Sequence, residues 1–275
     1  MSLYRDRLAL VTGASEGIGL AVSAELVRRG CRVVMAARRP DVLEEGRRRI
    51  GALDARPLDV TSWSATREFV NGAVARHGVP DLVVTCAGLA HPAWLCESLA
   101  GDEGDRTLAE LEEMLRTNLM GTVHVVKAVL PHLTARSAGL PKAQRTGHIV
   151  TTASLGGLFG LFGYTGYCAS KFAVVGFSES LRREVAPHGI GVTVLCPPNT
   201  RTPGLERENQ RKPAEVLVQE EKAAVLEPEV VAQRLLDALP RRPRIFIPSL
   251  DGRLAWLLER WAPALLDRLL RRPPP

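Results

Sequence analysis

Cysteine is sparse in this 275-residue chain: Cys31, Cys86, Cys96, Cys168 and Cys196 lie apart in apolar segments and form no CxxC pair. That pattern excludes a disulfide framework and a cysteine-built zinc site, and reads as free thiols in a reducing compartment. The six histidines include no HExxH or other paired ligand spacing, so no metal is expected. Lysine is scarcer still. Of 36 basic residues only Lys127, Lys142, Lys171, Lys212 and Lys222 are lysine, so the net charge of +6 reflects arginine, scattered among 30 acids. Without a basic stripe, nucleic acid is not indicated as a partner. Arg5-Asp6-Arg7 leads straight into an apolar strand, and no secretory signal is expected there, which points to a cytoplasmic protein.

What the chain does have is ordinary: 45% hydrophobic and 24% charged residues, the balance of a soluble globular protein. Short apolar runs alternate with segments of helical period, beginning Leu8 to Val11, Ile18 to Arg29, Arg32 to Ala37 and Val42 to Ile50. Further strands are expected at Leu82 to Thr85, His148 to Thr152, Val192 to Leu195 and Arg244 to Ile247, with helices such as Ser62 to His77 and Leu108 to Leu130 between them. This alternation predicts an α/β fold, a Rossmann-like doubly wound parallel sheet of about seven strands in a single domain. Polar, Pro/Gly-rich stretches at 98–107, 134–147 and 197–215 read as long loops. Residues 1–249 are taken as the domain, with a substrate loop at 197–226, and 250–275 as an amphipathic tail.

The run from Leu8 to Gly19 ends a strand and opens a helix with Gly13, Ser15, Gly17, Ile18 and Gly19, in the spacing Thr-Gly-x-x-x-Gly-x-Gly. Glycine lets the backbone approach a pyrophosphate at the helix N-terminus, although any tight strand-to-helix turn also uses glycine. After the second strand stand Ala37, Arg38 and Arg39, where an acid would bind the ribose of NAD. Two guanidiniums in place of a carboxylate fit a 2′-phosphate, hence NADP(H); the alternative is two more surface arginines. Asp59-Val60, after the third strand, is positioned for the adenine ring, or Asp59 caps the next helix.

Tyr167 and Lys171, four residues apart, share one helix face. A neighbouring ammonium would lower the phenol toward a working pKa and make it a general acid or base. Tyr164 is a rival, but Cys168 stands four residues after it and offers no charge. Ser154, just past a strand, is placed to hydrogen-bond a carbonyl.

With Thr12-Gly-x-x-x-Gly-x-Gly19, Asp59-Val60, Thr85-Cys86-Ala87-Gly88, Asn118, Ser154 and Tyr167-x-x-x-Lys171 in order, the chain resembles the short-chain dehydrogenase/reductase family over nearly its whole length. The resemblance implies that Tyr167 donates the proton, Ser154 positions the carbonyl, and Lys171 also holds the nicotinamide ribose. It further implies that Asn118 anchors a water relay, and that Cys86, Ala87, Gly88, Pro197, Thr200 and Thr202 touch the cofactor. Thr85-Cys86 departs from the family's usual Asn-Asn or Asn-Cys, and Pro197-Pro198 from its Pro-Gly. The stretch from Cys196 to Pro213 and the Gly157 to Gly163 loop are similar to the 3-ketodihydrosphingosine reductases, with Asn199 in place of their acid. By this resemblance the substrate is a long-chain lipid ketone reduced with NADPH, and the chain a homodimer or homotetramer through the helices at 108–130 and 167–185. Reduction of a 3-oxoacyl thioester, a steroid or another small substrate is the alternative within enzymes; an inactive dinucleotide-binding scaffold is the alternative outside them.

In the tail, Leu254, Leu257, Leu258, Trp261 and Leu265 follow helical spacing. The uncharged run Trp261 to Leu266 is far below the ~20 residues of a membrane span. Either this helix lies in a membrane interface opposite its arginines, or it packs on the domain or on a second subunit.

Overall fold

A computed structural model of the protein describes residues 4–95, 102–141, 146–220 and 224–270. Seven strands, β1 (Leu8–Thr12), β2 (Arg32–Ala37), β3 (Asp54–Pro57), β4 (Leu82–Thr85), β5 (His148–Thr152), β6 (Gly191–Leu195) and β7 (Ile245–Phe246), form one sheet in the order β3-β2-β1-β4-β5-β6-β7. Every pairing is parallel; Leu10, for instance, sits between Val34 and Val83. The helices are α1 (Gly17–Arg28), α2 (Pro40–Ile50), α3 (Trp63–His77), α4 (Asp102–Met114), α5 (Gly121–Ser137), α6 (Thr165–Val185), α7 (Pro203–Asn209), α8 (Ala214–Glu220), α9 (Pro228–Ala238), α10 (Leu250–Trp261) and α11 (Pro263–Leu270). The expected single doubly wound domain is the architecture found.

Parallel strands buried on both faces must be apolar on both, and alternation sorts their side chains. Ala9, Val11, Val33 and Met35 pack with Leu26 of α1, Leu43 of α2 and Leu235 of α9. Leu8, Leu10, Val34, Val83, Ile149 and Val192 pack on the other face with Phe69 of α3, Val129 of α5 and Leu181 of α6. A third cluster at the C-terminal end of the sheet joins Leu158, Phe159, Val174, Val194 and Ile247.

Parts of the expected long loops are helical. Residues 102–107 belong to α4 and 134–137 to α5, while α7 and α8 occupy most of 203–220. Composition misled here, because Thr202 with Pro203 is a helix start: the Thr202 side chain accepts from the Leu205 N–H at 3.1 Å, and proline fits the first turn. The described part of the tail, residues 250–270, is docked rather than free. Leu266 is buried in the third cluster, Gly252 lies under the Ser249 cap and against Leu155, and Leu258 packs inward. Leu254, Leu257, Trp261 and Leu265 remain exposed, so only Leu258 of the five residues expected to form the apolar face contributes to the domain's packing. Among the described residues no helix is long and apolar enough to cross a membrane.

Candidate active site

Successive strands are added outward in one direction from β1 to β3 and in the other from β4 to β7, and the crevice beyond the C-terminal ends of β1 and β4, where the winding switches sides, is where such sheets bind ligands. A cleft of about 850 Å³ opens there. Gly13 leaves β1 with φ +67, and a Cβ on it would stand 2.5 Å from the Ala87 nitrogen, so only glycine permits this approach of the β1 and β4 ends. Helix α1 then starts from Glu16, whose side chain makes no cap. The first-turn amides therefore stay available to an anion, unlike those of α3, α7 and α10, which Ser62, Thr202 and Ser249 cap.

Gly13, Ser15, Gly17, Ile18 and Gly19 line one end of the cleft, with Arg38, Arg39, Asp59 and Val60 beside them. Cys86, Ala87, Gly88, Pro197, Thr200 and Thr202 continue the wall toward Ser154, Tyr167 and Lys171. The residues suit a dinucleotide: an uncapped helix end for the pyrophosphate and cations at the adenosine end. The two arginines are not equivalent. Arg38 is exposed and makes no hydrogen bond or ion pair among the described residues, whereas Arg39 is bonded to the Glu16 carboxylate, which Arg207 of α7 also grips. Burial pushes the Glu16 carboxyl up, but these two guanidiniums outweigh it and hold the group below its usual range. Asp59 accepts from the Thr61 N–H at 2.9 Å and hydroxyl at 2.8 Å; the cap of α3 is Ser62, so the capping role considered for Asp59 is not its own.

Tyr167 and Lys171 come from the start of α6, and Ser154 from the turn after β5, where its oxygen accepts from the Gly156 N–H at 3.2 Å. Lys171 is buried, donates to the Thr152 carbonyl at 3.1 Å, and lies 5.6 Å from the Tyr167 ring centroid. Here the expected lowering of the phenol is corrected. Desolvation dominates and pushes Tyr167 up from its ordinary value; the Ser154 hydroxyl pulls it down, and the Glu208 charge pushes it up further. The same desolvation pulls Lys171 down to about 8. A raised phenol keeps its proton at neutral pH, the state a proton donor needs.

Asn118 does not line the cleft. It is fully buried in a π-helical turn (Leu115–Met120) between α4 and α5, accepting from the Leu89 N–H and donating to the Leu89 carbonyl and Ser170 hydroxyl, each at 2.9 Å. Both its N–H donors are thereby used. Gly88 separates it from Lys171: a Cβ there would meet Asn118 Oδ1 at 3.0 Å and Lys171 Nζ at 3.3 Å. Thr85 is buried beside Thr122, while Cys86 meets the Thr152 hydroxyl at 3.4 Å, and burial raises its thiol to about 11. The four described cysteines are free thiols, and Cys96 lies outside the described residues. No group of three metal-ligating side chains occurs among the described residues.

Sequence reasoning missed the opposite wall. Tyr164, set aside for want of a charged neighbour, donates to the Glu208 carboxylate, and Lys212 stands 5.8 Å over its ring. Arg211 bonds Glu110 and His91, and His91 in turn meets Glu113 at 3.0 Å, tying the segment after α7 to α4. Only the four-residue spacing of Glu208 and Lys212 hinted at any of this.

Known proteins resemble this chain in sequence and in fold. A family model described as short chain dehydrogenase matches residues 7–213. A 3-ketodihydrosphingosine reductase of Bos taurus is 33% identical over 236 residues, which cover 82% of this chain and 66% of that protein, just under two thirds of its length. A dehydrogenase/reductase SDR family protein 7-like of Drosophila melanogaster is 29% identical over 269 residues, 94% of this chain and 78% of that one. The crystal structure of a short chain dehydrogenase/reductase from Burkholderia phymatum in complex with NAD superposes with a TM-score of 0.79 across 100% of this chain and 98% of that one, at 23% identity, a likeness of fold.

Proposed function

The chain belongs to the short-chain dehydrogenase family and is an oxidoreductase, and from that premise we propose that it reduces the ketone of a long-chain lipid-like substrate to a secondary alcohol with NADPH. One observation carries the reading: Ser154, Tyr167 and Lys171 open on the same cleft as the Gly13–Gly19 turn and Arg38. The relatives named 3-ketodihydrosphingosine reductase supply the substrate class. The reduced nicotinamide, when bound, supplies the hydride. Ser154 holds the carbonyl oxygen by a hydrogen bond. Tyr167 gives its phenolic proton to that oxygen as the carbonyl carbon gains the hydride, and proton and hydride together make the alcohol. Lys171 binds the nicotinamide ribose, and its proximity favours the phenolate that the transfer leaves behind. Arg38 grips the 2′-phosphate. Asn118, with its side chain committed, fixes the backbone around Leu89 and bears on the proton relay only through its main chain. NADPH oxidation by the purified protein against 3-ketodihydrosphingosine, short 3-oxoacyl substrates and a steroid ketone tests the reading; dinucleotide binding without turnover of any of them would favour a scaffold.

We propose further that the exposed apolar stripe of α10 and α11 touches lipid surfaces without spanning them. Trp261 is 77% exposed, and the same helices pack through Leu266 against Leu158 and Phe159 of the loop that leads to Tyr167. Exposed Leu108 of α4 and Phe172 of α6 lie on the helices assigned to the homo-oligomer, which light scattering of the purified protein would test.

A further inference from the structure

Along the cleft, the end of α7 and the residues after it form an ionic cluster around a buried lysine that the reduction of a plain ketone does not need. Lys212 has a side chain with 0% exposure; its ammonium meets Glu208 Oε1 at 3.2 Å and Asn209 Oδ1 at 2.7 Å. The Tyr164 hydroxyl donates to the same Glu208 oxygen. Tyr164 in turn packs 5.8 Å from the Tyr167 ring, at an interplanar angle of 60°. Glu208 lines the cleft, whereas Lys212 does not.

Burying an ammonium costs several kcal/mol unless it is well paired, and an apolar side chain beneath α7 would pack at less cost. What the lysine achieves is a carboxylate fixed at the cleft surface, one aromatic ring away from the proton donor. A carboxylate has about four acceptor sites, and both described bonds use one oxygen. The other nearby cations are already engaged: Arg207 with Glu16, and Arg211 with Glu110. A negative group held there repels anionic substituents and favours a cation close to the reacting carbonyl.

We propose that Glu208 is a specificity-determining residue that accepts a hydrogen bond from an ammonium group on the carbon next to the substrate ketone, with Tyr164 and Lys212 as its positioning residues. The substrate class is then a long-chain α-amino ketone. This rests on the ketone-reductase reading above and narrows it.

The test compares kcat/KM, with NADPH, for 3-ketodihydrosphingosine and for the same chain lacking the amino group. A charge-assisted hydrogen bond predicts a preference of at least about tenfold for the amino ketone in the wild-type protein. Glu208→Gln should bring the ratio close to one, chiefly through KM, and Glu208→Asp should restore part of it. If Glu208→Gln leaves Lys212 unpaired and fails to fold, the double variant Glu208→Gln/Lys212→Met removes the ion pair and its buried ammonium together and should show the same lost preference. Equal use of both ketones by the wild type, or a ratio unchanged in the variants, overturns the assignment while leaving the reductase reading intact. Failure of the wild type to reduce either ketone overturns that reading itself, and this one with it.

Discussion

Replacing Arg38 with alanine should separate the two cofactors. Arg38 has no partner to give up among the described residues, so each charge-assisted bond it forms with a 2′-phosphate delivers about 1.5–3 kcal/mol, and its loss should weaken NADPH binding roughly ten- to 150-fold. NADH, which lacks the phosphate, should bind as before. Arg39 differs because it must first release Glu16, an exposed pair worth about 0.2–1 kcal/mol, and the Glu16 charge it leaves behind repels phosphate. Arg39→Ala should therefore cost less than Arg38→Ala. In a Glu16→Gln background the two arginines should become comparable, and NADPH should bind more tightly than to the wild type, a coupling that a double-mutant cycle reads directly. Fluorescence titration of both dinucleotides at fixed ionic strength measures all of this. The reasoning fails if Arg38→Ala weakens NADH and NADPH alike, or if Glu16→Gln leaves the Arg39 effect unchanged.

Tyr167→Phe should lower ketone reduction by about 100- to 10,000-fold, with NADPH affinity changed no more than a few-fold; near-normal turnover would remove Tyr167 as proton donor. Lys171, with its pKa brought down from 10.5 to about 8, carries its charge below that pH and loses it above. NADPH affinity should accordingly fall as pH rises through about 8, and the dependence should vanish in Lys171→Met; a flat titration in the wild type would deny the lysine its role at the ribose. Gly13→Ala forces a side chain into φ +67 against the Ala87 backbone, so urea unfolding should show a loss of at least about 1–2 kcal/mol, and an unmoved midpoint would contradict the close approach. For the tail, Leu254→Ser/Leu257→Ser/Trp261→Ser should reduce co-sedimentation with phosphatidylcholine vesicles without loss of folding, whereas equal partitioning of both proteins would leave the stripe with no lipid role.

The core of the sheet was legible because its strands are apolar on both faces and carry no competing signal: Leu82 to Thr85 and His148 to Thr152 are found at the expected bounds. Strand β3, Asp-Ala-Arg-Pro, is polar and at the sheet edge, so pattern alone gives it no outline. The residues of the glycine turn and the Tyr167–Lys171 face were visible because their spacing is local. The Tyr164–Glu208 bond joins residues 44 apart through the fold and leaves no periodic trace. The phenol's raised pKa escapes the sequence for a related reason: the sequence shows the nearby lysine, but desolvation depends on what closes over both groups. In the tail, helical spacing reveals an amphipathic element without saying which stripe faces the domain, and Leu266, outside the five-residue face, is its buried anchor.

In the proposed reaction this cleft moves a hydride and the Tyr167 proton onto a lipid ketone. Its most direct test is NADPH oxidation with 3-ketodihydrosphingosine, run side by side on the wild type and Tyr167→Phe, with the alcohol product identified by mass spectrometry. The wild type should form alcohol stoichiometrically, faster than with short 3-oxoacyl substrates, and the variant should lose about 100-fold or more. NADPH binding without product, or product formed equally by both proteins, would contradict it.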